Sequence, residues 1–174
     1  TLATWLNSIG VKVTEVRVVP DEESIIVDNL NFFRKTYDYV FTTGGIGPTH
    51  DDITAKSVAK AFGKKYEIHK EAFKILESYY KPGEFNEGRQ KMVWMPSDAE
   101  LILNPTSGAP GFSVDNVFCL PGVPSNKTDP SAITITGSHI RLIKSISCSI
   151  IQNVYPFSLF NLKIAVPISF NNVL

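Results

Sequence analysis

A buried strand that runs into a glycine-rich loop and then into a helix is the feature that most constrains this fold. Residues 37–43, with Tyr39, Val40 and Phe41 at their centre, are typical of a buried strand. Residues 44–52 contain three glycines, a proline and two aspartates, and an apolar pattern with helical spacing follows as far as Gly63. In open α/β sheets, loops of this kind bind ligands where they leave the carboxyl ends of parallel strands. This unit therefore predicts a parallel sheet with a ligand site at one edge.

Strands and helices alternate on both sides of this unit. A β-branched run at residues 11–19 precedes a helical stripe at residues 25–33, and another helix is expected from Lys70 to Tyr80. Two short apolar runs, 101–103 and 117–120, predict further strands. Such alternation favours a parallel sheet with helices on both faces. We predict an α/β fold, a three-layer α/β/α sandwich with a mainly parallel sheet.

Length, charge and cysteine content narrow the class of protein. The chain has 174 residues, of which 43% are hydrophobic, enough for one sizeable core. Basic and acidic residues number 17 each, so no net positive field favours nucleic acid, and no apolar run is long enough to cross a membrane. We expect a cytoplasmic protein without nucleic-acid or membrane partners. Cys119 and Cys148 stand far apart, and Cys119 is expected to act as a small core hydrophobe.

The composition changes sharply near Asp129. No Asp or Glu occurs after this residue, whereas Ser, Ile, Phe and Asn become frequent. We expect residues 1–125 to form one α/β domain. Residues 126–174 are expected to form a divergent segment that packs on the same domain.

The glycine loop has the composition of a phosphate site. Its glycines would let backbone N–H groups approach an anion closely, its proline would stiffen it, and its threonines would add hydroxyl donors. The pattern is neither a Walker loop nor a dinucleotide-binding Gly-x-Gly-x-x-Gly, so a phosphate site and a tight strand–helix turn are weighed equally on composition. The predicted ligand-binding residues of this loop are Thr43, Gly44, Gly45, Gly47, Pro48 and Thr49.

Acidic residues beside this loop suggest a cation. Asp51 and Asp52 stand where acidic residues usually cap a helix, but beside a bound phosphate they would repel the anion unless a cation separated them. A hard divalent ion, with Mg²⁺ as the expected choice, would be held by Asp52 and Asp51 together with ligand phosphates. Asp21 ends the preceding strand and would open at the same sheet edge. Its two interpretations, a helix N-cap and a catalytic carboxylate, are compatible.

The remaining polar and aromatic candidates have ordinary structural explanations. His50 lacks a second metal-spaced ligand, and residues 86–91 carry anion donors that are more typical of a solvated helix face. Those donors are Asn86, Arg89, Gln90 and Lys91. Met92, Trp94 and Met95 are expected to lie in the core rather than to form a ligand platform.

Three sequence blocks in a fixed order resemble a known family. Residues 42–54, 104–111 and 120–125 are similar to the molybdopterin-binding domain shared by molybdenum-cofactor biosynthesis proteins and competence/damage-inducible proteins. The Gly-Pro-Thr-His-Asp-Asp version of the loop is closest to the competence/damage-inducible type. The family's usual opening strand is not seen ahead of residue 11, and Asn126-Lys127 stands where Glu-Met usually follows the third block.

This resemblance implies a ligand groove at the strand ends and self-association into a homo-oligomer. Asp52 matches the acidic position used by adenylyl-transferring members, and Asp21 matches the acidic residue after the preceding strand, so both are expected to be catalytic. The expected ligand is a phosphorylated small molecule of the nucleotide or pterin type, with molybdopterin as one candidate. The second and third blocks would add ligand-binding residues to the groove: Asn104, Gly108, Pro121, Gly122 and Ser125.

Three functions agree with these residues. The first is metal-dependent hydrolysis of a nucleotide pyrophosphate bond, as in ADP-ribose, with a metal bridged by Asp52 and Asp21 orienting the attacking water. The second is molybdopterin binding or adenylylation in molybdenum-cofactor biosynthesis. The third is a binding module that keeps the groove without catalysis, because fold membership alone does not establish an activity.

Overall fold

The computed structural model of the chain describes Leu6, residues 12–104 and 108–122, and the backbone of strands Ile133–Thr136, His139–Leu142 and Ile164–Ile168. Its described part contains no helix that is long and apolar enough to cross a membrane.

A six-stranded sheet organises the described residues. Its strands are β1 (Val13–Val18), β2 (Tyr39–Thr43), β5 (Glu100–Ile102), β6 (Gly111–Val114), β7 (Val117–Leu120) and β10 (Ile164–Ile168). Their order in the sheet is β1-β10-β2-β7-β6-β5; the neighbours from β1 to β7 pair in parallel, and β6 pairs antiparallel with both β7 and β5. Five of the six strands therefore run in one direction, which confirms the predicted α/β fold with a mainly parallel sheet.

Helix α1 (Glu23–Thr36) forms because its apolar residues recur at helical spacing. Ile26, Leu30 and Phe33 make one buried stripe. The residue that caps the amino terminus is Glu22, without a side-chain capping bond, so the helix begins beyond Asp21.

Helix α2 (Thr54–Ala61) joins α1 in a core on one face of the sheet. This core includes Val58 from the helix together with Val40 and Val117 from β2 and β7. Strand residues alternate between faces, so their neighbours Phe41 and Phe118 lie on the opposite face, where their buried rings stack with centroids 5.2 Å apart.

A smaller antiparallel pair lies beside α2. It consists of β3 (Tyr66–Ile68) and β4 (Trp94–Pro96), with Ile68 opposite Trp94. Between them the chain forms α3 (Lys70–Tyr79), the short α4 (Glu87–Gln90) and a 3₁₀ turn at Lys91–Val93. The helix predicted from Lys70 to Tyr80 is confirmed. Because β4 contacts α2, the turn and β4 come close to the glycine loop at the start of that helix.

The segment after residue 125 also contributes to the fold. β10 lies between β1 and β2 and is parallel to both. β8 (Ile133–Thr136) and β9 (His139–Leu142) pair with each other as a separate antiparallel ribbon.

Candidate functional site at the glycine loop

The three sequence blocks leave the same edge of the sheet. β2, β7 and β5 run in one direction, so the glycine loop, the Pro121–Gly122 turn and the turn after Leu103 all lie at their carboxyl ends. The first and third blocks are in contact, since a Cβ added to Gly122 would lie 2.8 Å from the Cα of Gly44. The N–H of Gly44 also donates to the carbonyl of Leu120 at 3.0 Å.

The first half of the loop, residues 44–47, is shaped by backbone contacts. Gly45 has a φ of +68°, and its carbonyl accepts a hydrogen bond from the N–H of Thr54 at 2.8 Å. A Cβ at Gly45 would lie 2.0 Å from the Oγ1 of Thr54, so only glycine fits here. Of the residues that the structure describes, none accepts a hydrogen bond from the N–H groups of Gly45, Ile46 and Gly47. Three consecutive N–H groups are therefore left without a partner among the described residues; Gly45 is buried, whereas Ile46 and Gly47 are partly exposed. Consecutive N–H groups of this kind form anion-binding concavities in other proteins.

The second half of the loop, residues 48–52, is held by side chains. Pro48, Thr49 and His50 are exposed. The Oδ2 atom of Asp52 accepts hydrogen bonds from the N–H of Thr49 at 2.9 Å and from its hydroxyl. A Cβ on Gly47 would lie 2.7 Å from the same Oδ2 atom, so the carboxylate folds against the glycine. Both hydrogen bonds go to Oδ2, so the Oδ1 atom of Asp52 accepts neither of the two bonds from Thr49.

Asp51 stays ionised more readily than an ordinary aspartate. The Thr49 hydroxyl, which donates to Asp52, is also the main group that holds the pKa of Asp51 below its ordinary value of 3.8. The backbone N–H of Asp51 and the charges of His50 and Lys91 lower this pKa further. The loop thus carries a stable negative charge.

Lys91 brings a positive charge to the same loop. Its Nζ donates a hydrogen bond to the carbonyl of Thr49. The other donors of this cluster serve the local structure: Asn86 accepts from the N–H of Arg89, Arg89 donates to the carbonyl of Glu84, and Gln90 donates to the carbonyl of Phe85. The interpretation of residues 86–91 as a solvated helix face therefore does not account for the contact of Lys91 with the glycine loop. No local pattern separates it from its neighbours, because the contact with Thr49 spans 42 residues.

A narrow cleft separates the glycine loop from the β3–β4 sheet. One wall consists of Ile46, Gly47 and Asp52, and the other of Tyr66, Lys91 and Trp94. Buried apolar residues form the floor, namely Ala55, Met92, Met95, Pro110 and Phe112. The expected core position of Trp94 is wrong: 37% of its surface is exposed, whereas Met92 and Met95 are buried. β4 is a three-residue strand, and its alternation turns Trp94 away from the core that takes Met95.

The remaining predicted site residues do not line this cleft where the structure describes them, and Thr43 lines a separate pocket beside Val19 and Leu30. The carbonyl of Asn104 accepts from the N–H of Gly108 at 2.9 Å, and a Cβ on Gly108 would lie 2.7 Å from the ring of Tyr79. This turn therefore packs on the end of α3. Thr43 and Pro121 are half-buried and Gly122 is exposed, whereas Ser125 lies outside the described residues.

Asp21 lies at the same edge as the loop but at a distance from it. β10 separates β1 from β2, so their ends are roughly 10 Å apart at the usual spacing of strands. A ligand would therefore have to extend along the edge to reach both Asp21 and the glycine loop. A single ion would touch both Asp21 and Asp52 only if their side chains bridged this gap.

Cys119 is closed to solvent behind the loop. Burial raises the pKa of its thiol to about 12, and the neighbouring Thr42 hydroxyl offsets part of that rise. A thiol with such a pKa is protonated at neutral pH, which agrees with the expected role as a core residue.

The oxygen ligands at the loop suit a hard cation. Within the described ranges, no three His, Cys, Asp or Glu side chains come together as a metal-binding group. Mg²⁺ usually takes one or two carboxylates and fills its other positions with water and substrate phosphates. Asp52, which keeps Oδ1 outside the loop's own bonds, and its neighbour Asp51 fit that pattern.

Comparisons with known proteins agree with this architecture. Residues 1–135 match the family model described as "Probable molybdopterin binding domain". A protein of Archaeoglobus fulgidus is 37% identical over 124 residues, which cover 71% of this chain and 53% of the relative. A CinA-like protein of Geotalea uraniireducens is 38% identical over 125 residues, covering 68% of this chain and 30% of the relative.

A solved structure has the same fold. It is the crystal structure of the protein CinA from Thermoplasma acidophilum, with a TM-score of 0.64 and 31% identity, and the match covers 71% of this chain and 75% of that one. A Clostridioides difficile relative, whose name includes the words competence-damage inducible protein, is 36% identical over 129 residues, or 71% of this chain and 31% of the relative. The chain spans about half, or less, of the length of these curated relatives. Because the family model covers most of the chain and its blocks meet at one sheet edge, the chain belongs to the molybdopterin-binding domain family, in its competence-damage inducible branch.

Proposed function

We propose that the glycine loop binds the phosphate of a nucleotide- or pterin-type ligand and that the chain hydrolyses a nucleotide pyrophosphate bond, as in ADP-ribose. One observation carries this proposal. Three consecutive N–H groups without a partner among the described residues, those of Gly45, Ile46 and Gly47, lie beside a carboxylate that is folded against Gly47. The N–H groups suit a phosphate, and the carboxylate suits the cation that accompanies a pyrophosphate.

Each residue then has a definite task. The three N–H groups hold one phosphate, and the backbone contacts of Gly44 and Gly45 keep them in place before the ligand arrives. Asp52, with Asp51 beside it, would hold a divalent cation. Such a cation supplies Lewis-acid polarisation of the phosphoryl oxygens when it is bound. Asp21 acts on the part of the ligand that reaches the end of β1.

The test is hydrolysis of ADP-ribose, FAD and ATP, each with and without Mg²⁺, with the products resolved by chromatography. We expect AMP from ADP-ribose or FAD, and a loss of about 100-fold or more in the Asp52→Asn variant. Asp28→Asn is the matched control, because Asp28 is exposed on α1 and outside the loop. Unchanged turnover in folded Asp52→Asn protein would remove Asp52 from the reaction.

Molybdopterin binding is the second candidate, and the description of the family model favours it. The two functions predict different results in the same experiment. Binding of a phosphorylated ligand with no turnover of any of the three substrates would support molybdopterin binding. If the chain binds such a ligand but neither hydrolyses these substrates nor transfers an adenylyl group, it is a catalytically inactive binding module.

A further inference from the structure

The wall of the cleft opposite the glycine loop carries an aromatic pair, the exposed Trp94 and the half-buried Tyr66. Trp94 and Tyr66 lie with ring centroids 5.5 Å apart and planes inclined by 44°. The indole keeps 37% of its surface exposed, although the residues on either side of it in sequence are buried. An aromatic side chain left open beside a polar loop offers a ring face to a ligand.

Lys91 stands where this aromatic wall meets the loop. It lines the same cleft as Trp94, and its ammonium group reaches the carbonyl of Thr49. Arg89 does not compete for this role, since it donates to the carbonyl of Glu84 and lies over the ring of Tyr80. Lys91 is therefore the basic residue of the 86–91 cluster that can meet an anion in the cleft.

The shape of the cleft sets the mode of binding. The enclosed space is only about 10 Å³, room for roughly one water molecule. A planar ring would therefore lie across the mouth, against Trp94, rather than enter the floor. Its phosphate would then stand between Lys91 and the loop N–H groups that have no partner among the described residues.

We infer that Trp94 and Tyr66 bind the planar heterocycle of the ligand while Lys91 exchanges its bond with the Thr49 carbonyl for one to the ligand's phosphate. The inference rests on the proposed function and adds a ring subsite to it. The ligand class is then a phosphorylated aromatic heterocycle, and a bare sugar phosphate or inorganic phosphate would fill only the loop half of the site.

The test uses the two products of ADP-ribose cleavage as probes. AMP carries both the ring and a phosphate, whereas ribose 5-phosphate carries the phosphate without the ring. Binding is measured by calorimetry without Mg²⁺ and by tryptophan fluorescence in a Trp5→Phe background, where Trp94 is the remaining tryptophan. We expect AMP to bind more tightly than ribose 5-phosphate and to quench Trp94 in a saturable manner.

Variants separate the two halves of the site. Trp94→Ala should weaken AMP about tenfold or more, as stacking of a base on an aromatic ring implies, and leave ribose 5-phosphate unchanged. Trp94→Phe should restore part of the loss, and Lys91→Met should weaken both probes. Ile68→Ala is the matched control, since Ile68 is exposed on the opposing strand of the same small sheet and does not line the cleft.

The outcomes distinguish this inference from the proposed function. Equal affinity for AMP and ribose 5-phosphate, unaffected by Trp94→Ala, together with continued ADP-ribose hydrolysis, would overturn the ring subsite and keep the proposed function. Absence of both binding and hydrolysis in the native chain would overturn both. A normal melting transition of the Trp94→Ala variant would show that a loss of AMP binding does not come from a loss of folding.

Discussion

The two halves of the glycine loop are built in opposite ways. Residues 44–47 are held by backbone groups and by the close approach of Gly122 and Thr54. Residues 48–52 are more open to solvent and are held by the side chains of Asp52 and Lys91. Steric contacts leave the first half little freedom, whereas the hydrogen bonds of the second half can be exchanged for bonds to a ligand. A rigid cradle next to an exchangeable charged segment can bind an anion without rebuilding the loop.

The largest expected effect of breaking this arrangement is in the first half. Gly45→Ala should destabilise the fold by about 3 kcal/mol, because the new Cβ meets Thr54 and the backbone has a positive φ. Urea denaturation measures the change. Gly63→Ala is the control, with a φ of +63° and nothing within 4 Å of the new Cβ, so only about 1 kcal/mol is expected. Equal losses at the two glycines would show that Thr54 does not restrict the loop.

A smaller loss of stability is expected in the second half of the loop, residues 48–52, where Thr49 donates hydrogen bonds to the Asp52 carboxylate. Asp52→Ala removes the acceptor of both Thr49 hydrogen bonds and should lower the free energy of unfolding by about 1–2 kcal/mol. Thr49→Ala removes the hydroxyl bond from the other end and keeps the N–H bond, so thermal melts of the two variants share the hydroxyl contact. If the two changes act through one contact, the double variant should lose less stability than the sum of the single variants.

The smallest effect concerns pH. The pKa of Asp51 in the folded chain lies below its ordinary value of 3.8. The interactions that lower this pKa therefore stabilise the fold above about pH 3.8, and their contribution is lost as the pH falls through the pKa of the folded chain. Asp51→Asn should therefore be less stable than the native chain at pH 6, and the gap should close as the pH falls below about 4. Paired denaturation curves across this range measure the gap. A gap that persists unchanged in acid would assign it to packing rather than to charge.

Local patterns predicted much of the fold and little of the opposite wall of the cleft. The strand at residues 39–43, the helices at 23–36 and 70–79, and the glycine loop follow from periodicity and from glycine placement over five or more residues. Residues 86–96 form a four-residue helix, a 3₁₀ turn and a three-residue strand, each too short for a period to appear. Both the exposure of Trp94 and the reach of Lys91 depend on contacts between distant parts of the chain.

The position of β10 has a consequence for the order in which the protein can fold. β1 and β2 are linked through a single helix and are synthesised early, yet the strand that separates them is translated much later. Until that strand arrives, the facing edges of β1 and β2 expose N–H and C=O groups that invite pairing with other chains. Such non-local pairing slows folding. Since the glycine loop follows β2 directly, completion of the sheet edge that carries this loop waits for the late-synthesised strand.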